Sequence, residues 1–196
     1  ADRAVLTKSV RTIVEQVDSM QRLVNEFRDF ARLPAAELRP LDLNRLVEEV
    51  LHLYGDHGGG DGAIEGSTSL RFECDPSCPL VLGDAQQLRQ VIHNLVQNAL
   101  DATEQTDSAG PPGEATVIVR TQWLAATQRV RLSVLDHGHG FADAILRRAF
   151  EPYVTTKAKG TGLGLAVVKK IADEHGARID VSNRIVDGRI AGAQVS

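Results

Sequence analysis

Cysteine is nearly absent from this chain of 196 residues: Cys74 and Cys78 are the whole complement, on either side of a turn containing Pro76. No second cluster accompanies them to complete a zinc site, so they read as ordinary packing thiols in a reducing compartment. Long apolar runs are also lacking. No stretch reaches the roughly 18 residues a bilayer crossing needs, and the amino terminus lacks the order of a signal peptide. The segment therefore reads as cytoplasmic and without direct membrane contact, though its parent could be anchored in the inner membrane. Basic excess is missing as well, since the net charge is -4 and no long basic run occurs. Nucleic acid and anionic membrane have no electrostatic footprint here. What is present is 42% hydrophobic residues, enough for one large domain or a medium domain with an appendage.

The appendage comes first. Leu6, Val10, Ile13, Val17, Met20, Val24, Phe27 and Ala31 are spaced alternately four and three apart, the seam of a heptad repeat. Val14, Leu23 and Phe30 widen the stripe beyond a two-stranded seam, and Arg11, Glu15, Asp18, Arg22 and Asp29 take the other side, which suits a helical bundle. About four heptads make a helix of roughly 45 Å, longer than a small domain is wide, so self-association is expected. Pro34 and Pro40 bracket a linker, because proline lacks the amide donor that a continuing helix needs. Asp42 can then cap a helix carrying Leu43, Leu46, Val47, Val50, Leu51 and Tyr54 on one face, with Gly55 ending it. Gly55 to Gly66 reads as a loop.

From Leu70 the pattern alternates. The spacing predicts a strand near 70–74, a helix over 84–103, strands at 116–124 and 130–136, a helix over 162–175, a strand at 178–183 and a last strand toward Ser196. Two consecutive antiparallel strands between helices argue for an α/β sandwich with a mixed sheet.

Three segments carry chemistry. In the helix from Asp84, Asn94 and Asn98 are four apart and stack on one face beside the apolar flank of Leu88, Val91, Ile92, Leu95 and Val96. An amide oxygen could complete the shell of a magnesium ion already held by phosphates, although two asparagines alone fit a polar helix flank better. Asp136-His137-Gly138-His139-Gly140 ends a strand; its carboxylate could accept from an exocyclic amine such as that of adenine, and its glycines let backbone approach a flat ligand. His137 and His139 have no third ligand cluster and read as loop residues. Gly160-Thr161-Gly162-Leu163-Gly164-Leu165 leads into a helix whose amino end would favour phosphate. Its spacing is neither the P-loop nor the dinucleotide fingerprint. Lys157, just before it, could serve as a point charge for phosphate or simply be a solvated surface lysine.

In order and spacing these segments resemble the catalytic and ATP-binding domain of sensor histidine kinases, within the gyrase, Hsp90, histidine kinase and MutL superfamily. Asn94 to Asp101 resembles the N box, Asp136 to Gly140 the first glycine box, Phe150 to Tyr153 the F box, and Gly160 to Leu165 the second glycine box. Gly192-Ala193 is similar to the start of the last glycine-rich element. Phe150 to Lys157 followed by the Gly160 block is similar to nitrogen-regulation kinases of the NtrB and NtrY type. The resemblance implies an α+β fold, a Bergerat-type sandwich of a mixed sheet covered by helices, preceded by a long helix from a dimerisation bundle. It divides the chain into residues 1–34, the second helix of a dimerisation and phosphotransfer hairpin; 35–41, a linker; and 42–196, the catalytic domain.

By the same likeness ATP and Mg2+ are the cofactors, Asn98 ligates the metal, and Asn94 beside it helps arrange transfer. Asp136 reads the adenine amine, and Gly138 and Gly140 shape its pocket. Thr161, Gly162, Leu163, Gly164 and Leu165 meet the phosphates with Lys157, and residues 141–160 form the ATP lid. The implied activity is transfer of the gamma phosphoryl to a histidine and then to a response regulator receiver domain, in a homodimer joined through the first helix. Two departures stand out. His137 replaces the asparagine usual after the adenine-reading aspartate. None of the histidines, at 52, 57, 93, 137, 139 and 175, has the H-E-x-x-N-P context of a phosphoacceptor, which should then lie before Ala1. Rival readings are another ATPase or serine kinase of the superfamily, MutL-like or anti-sigma, and a dimerisation scaffold with a decayed pocket.

Overall fold

The computed structural model describes residues 33–54, 70–104, 116–157 and 160–196, together with positions 7, 10, 13, 14, 16, 17, 20, 21, 24, 27 and 28. Those scattered amino-terminal positions are helical and exposed. The seam residues among them, Val10, Ile13, Val17, Met20, Val24 and Phe27, show their side chains to solvent, as does Val14. Leu6, Leu23, Phe30 and Ala31 lie outside the described residues, as do Gly55 and the loop expected after it.

A short strand β1 (Arg39–Leu41) precedes helix α1 (Leu43–Leu51), which ends in a 3-10 turn at His52–Tyr54. Strands β2 (Leu70–Glu73) and β3 (Val81–Gly83) lead to helix α2 (Ala85–Glu104). Strands β4 (Val117–Leu124) and β5 (Arg129–Asp136) follow, then the one-turn helix α3 (Asp143–Leu146) and helix α4 (Gly164–Glu174). Strands β6 (Val181–Val186) and β7 (Arg189–Val195) complete the order. The main sheet runs β2-β4-β5-β7-β6, with β2 parallel to β4 and the other pairs antiparallel. This is the expected mixed sheet, packed against helices on one face.

Local chemistry starts the helices. The Asp42 carboxylate accepts from Arg45 N at 3.1 Å and caps α1. Asp84 does the same for α2, its Oδ1 accepting from Gln86 N and Gln87 N at 2.9 and 3.1 Å. These bonds satisfy amides that have no acceptor within the helix. The apolar spacing then turns each helix inward. Leu43, Leu46, Val47, Val50 and Leu51 of α1, Val91, Ile92, Leu95, Val96 and Ala99 of α2, and Val167, Val168 and Ile171 of α4 share one core with Val117, Val119 and Val134 of the sheet. Along β4 the alternation is clean, with Val117, Val119 and Thr121 buried and Arg120 and Gln122 exposed. Ile92 has no exposed surface and sits where the helices meet the sheet. Ile92→Ala is expected to destabilise the fold by about 2–5 kcal/mol, lost transfer energy plus an unfilled cavity, as urea unfolding would measure.

The structure departs from the sequence reading in a few places. The stretch read as linker, 35–41, contains β1, which pairs antiparallel with β3 as a separate ribbon. Its Pro40 is tolerated because a two-stranded ribbon leaves one side of each strand without ladder bonds. Pro34 is held to α2, since Gln87 Nε2 donates to its carbonyl at 2.8 Å and Glu37 N donates to Asp84 Oδ2 at 3.0 Å. Helix α4 starts at Gly164 instead of 162, and β6 begins at Val181 and extends to Val186.

Candidate functional site

A cleft of about 1210 Å³ opens between α2, the end of β5 and residues 155–157 and 160–165. Asn94 and Asn98 reach it because the opposite flank of α2 is committed to the core, leaving the two amides half-buried on the face turned away. Asn94 Nδ2 lies 3.5 Å from Gly164 O, at the outer limit of a hydrogen bond.

Asp136 closes the far end. It is 7% exposed, an unusual place for a carboxylate without a cation in contact. Gly138 N and Ala193 N donate to its Oδ1 at 2.9 and 3.0 Å, and among the described residues Oδ2 receives no donor. Arg184 donates to the backbone carbonyl of the same residue at 2.7 Å, not to the carboxylate. Burial pushes the Asp136 acid above the usual carboxylate range, and the two amide donors with the charges of Arg184 and His139 only partly oppose it. Next to it, Asn183 clasps Phe141 from both sides, accepting from its N and donating to its O, each at 2.7 Å.

The glycine segment forms the near wall. At Gly162 φ is +70°, and a Cβ there would stand 2.6 Å from Tyr153 C. Only glycine lets the two strands of this loop close, with Tyr153 N donating to Gly162 O at 3.0 Å. Immediately after, α4 begins, and its first amides have no helical acceptor and point their partial positive charge at the cleft.

Lys157 does not stand in solvent. Its Nζ donates to Asn98 Oδ1 at 2.8 Å and to Asp101 Oδ2 at 2.7 Å, and Gln97 Nε2 donates to the other oxygen of Asp101 at 2.8 Å. Asp101 was not singled out from sequence. Its signal was available, since Asn94, Asn98 and Asp101 fall four and then three apart and so share a helical face. Tyr54 leans over the same end of α2. Burial first, and the charge of Asp101 second, push its phenol up to about 12, and its hydroxyl lies 2.5 Å from His93 Nδ1.

Of the residues expected from sequence, Asn94, Asn98, Asp136, Gly140, Lys157, Thr161, Gly162, Leu163, Gly164 and Leu165 all line this cleft. Gly138 does not. A Cβ on it would meet Ala102 O at 2.7 Å, so it lets the loop lie against α2 behind the cleft wall. His137 turns to Thr116 O and His139 to Gly140 O, and among the described residues no group of three or more His, Cys, Asp or Glu could hold a metal. Cys78 is half-buried, but Cys74 is exposed and does not pack as expected. The turn between them is fixed instead by Asp75, which accepts from Ser77 and from Trp123 N at 2.8 Å. Among the described residues no helix is long and apolar enough to cross a membrane.

Residues 83–195 match the family of histidine kinase-, DNA gyrase B- and HSP90-like ATPases. Among curated proteins, a putative sensor histidine kinase, NtrY-like, from Rickettsia conorii is 31% identical over 96% of this chain and 29% of its own length. The chain spans about 30% of the length of the curated relatives it matches. Among solved structures, full-length ShkA in complex with AMPPNP aligns with a TM-score of 0.72 at 29% identity, covering 96% of this chain and 37% of that one. Histidine kinase ThkA in complex with response regulator protein TrrA aligns at 0.66 and 25% identity, covering 97% of this chain and 49% of that one. A match across more than half of the chain means that the chain belongs to the histidine kinase-, DNA gyrase B- and HSP90-like ATPase family, and within it the chain is similar to sensor histidine kinases.

Proposed function

We propose that the cleft takes ATP with Mg2+ between α2 and the segment 141–160, and that the parent protein transfers the gamma phosphoryl to a histidine and onward to a response regulator. The observation that carries this reading is the buried Asp136 carboxylate, whose protein donors both go to Oδ1. Oδ2 is left to accept from an amine, which fits the exocyclic group of adenine. The triphosphate then extends toward the start of α4, where Gly162 and Gly164 allow backbone amides to come close and Thr161, Leu163 and Leu165 shape the wall.

The residues fit a magnesium ion delivered with the nucleotide. Asn98 Oδ1 is a hard neutral oxygen, and its acceptance of a hydrogen bond from the Lys157 ammonium at 2.8 Å supports a positive charge beside that atom. Mg2+ would supply charge neutralisation on the phosphates. Asn98 would hold it, Asn94 would orient the transferred group from one helical turn away, and Lys157 would serve as a mobile phosphate contact. Little covalent chemistry is asked of this chain: positioning and electrostatics carry the rate, and closure of the glycine-hinged segment excludes water.

The homodimer reading rests on the amino-terminal stripe, where Ile13, Val17, Met20 and Val24 are about half exposed or more; burying such a seam against a second copy is what heptad spacing favours. On this reading residues 1–34 are the dimerising helix, 35–41 the connecting segment that carries β1, and 42–196 the catalytic domain. The ThkA complex supports a response regulator as the further partner.

Two measurements test the proposal. Titrating this chain with ATP and Mg2+ in a calorimeter should give saturable binding, and no heat at millimolar nucleotide would overturn the nucleotide site. Incubating the full-length parent with gamma-labelled ATP should give acid-labile, base-stable phosphate on protein. Label stable to acid would point to a hydroxyl acceptor and overturn the histidine-kinase reading.

A further inference from the structure

The Lys157 ammonium makes two contacts that cannot both persist beside a bound metal nucleotide. It uses the same Asn98 oxygen that would ligate the cation, and two positive charges on one amide oxygen repel each other at close range. Its second contact, with Asp101, is the stronger anchor, an ion pair at 2.7 Å with both side chains about one-third exposed or less. The pair is therefore shielded more than a surface salt bridge, and Asp101 is itself fixed by Gln97. Lys157 also stands on a flexible four-carbon stem that can swing its charge without moving backbone.

Resting on the nucleotide reading above, we infer that Asp101 is a positioning residue that holds Lys157 over the metal face of Asn98 until a triphosphate takes the lysine over. The Lys157–Asp101 bridge and the occupied phosphate site are then alternatives. Nucleotide without a divalent cation meets two obstacles: the lysine must be pulled from Asp101, and the bared carboxylate then faces phosphate oxygens. Asp101 thereby biases the cleft toward ATP that arrives with its metal, adding to the preference that Asn98 imposes as the metal's ligand.

The test is a double-mutant cycle on this chain, with ATP and, separately, adenosine titrated in Mg2+ and in EDTA. Asp101→Asn keeps an acceptor for Gln97 and nearly the same shape, so it leaves the thermal unfolding temperature close to the original. It should tighten ATP binding in EDTA about tenfold, the worth of a partly shielded ion pair plus one removed repulsion. With Mg2+, which offsets the repulsion but leaves the bridge to be broken, the gain should fall to about threefold, and adenosine, which lacks phosphates, should bind all variants alike. In the Lys157→Met background the EDTA gain should likewise fall to about threefold, because the repulsion remains but there is no bridge left to break. Equal gains with and without Lys157, or weaker ATP binding on Asp101→Asn, overturn the inference while leaving the nucleotide site standing. No ATP binding by any variant under either condition overturns both.

Discussion

Gly192→Ala should destabilise the protein by about 3–5 kcal/mol, as much as truncating a large core side chain. At this position φ is +127°, and a Cβ would stand 1.9 Å from Asp136 O and 2.7 Å from Asp136 C. Neither neighbour is the far end of a flexible side chain; both are backbone at the end of β5. The contact can be relieved only by separating β7 from β5 just where Ala193 N donates to Asp136 Oδ1. The substitution therefore strikes the strand pairing and the carboxylate's support together. For a chain of this size the loss should lower the unfolding temperature by roughly 10 °C or more. ATP binding should fall with it even at temperatures where the variant remains folded. Denaturant unfolding paired with calorimetric titration checks both. A variant within about 1 kcal/mol of the original would mean that β7 has room to shift, and that the close approach is not what fixes Asp136.

The parts of the molecule legible in its sequence are those set by local periodicity. Helix α2 could be read because Val91, Ile92, Leu95, Val96 and Ala99 recur at helical spacing, and that same spacing forces Asn94 and Asn98 outward. Asp136 could be read because a carboxylate at the end of a strand followed by glycines is itself a local pattern. The β1–β3 ribbon was not legible. Pro40 and Leu82 face each other across it, but they are far apart in the chain, and the prolines near both strands argue locally for loops. The pairing of Lys157 with Asp101 is likewise nonlocal: half of the signal, Asp101 on the face of Asn94 and Asn98, was present, but its partner comes from a loop with no periodicity. The sequence reading ends β6 at residue 183, although Asp187-Gly188, both at positive φ, is the two-residue hairpin signal that fixes where β6 ends and β7 begins. Helix α4 begins after Gly162 because a residue at φ +70° cannot continue a right-handed helix.

Asp136→Asn should separate binding from stability, and its two effects have opposite signs. The asparagine keeps one oxygen to accept from Gly138 N and Ala193 N, so the loop and the β5–β7 junction have their support. In that orientation its amide group stands where Oδ2 was, turning an acceptor into a donor facing the donor amine of adenine. A lost charge-assisted hydrogen bond together with two opposed donors amounts to about 3 kcal/mol, or roughly a hundredfold weaker ATP binding. Stability should move the other way. Burial raises the folded-state pKa of Asp136 above the usual carboxylate range, so the favourable contribution of the protonated form is complete below the unfolded pKa and is lost as pH rises through the raised folded one. At neutral pH the wild type carries a buried anion that the variant does not. The variant should therefore unfold at an equal or higher temperature at neutral pH, and the advantage should disappear as the solution is acidified below the ordinary carboxylate range. Thermal unfolding at the two pH values, alongside calorimetry with ATP and Mg2+, measures both. Unchanged ATP affinity in a folded Asp136→Asn protein would remove the base-reading role from this carboxylate, and with it the orientation of the nucleotide in the cleft.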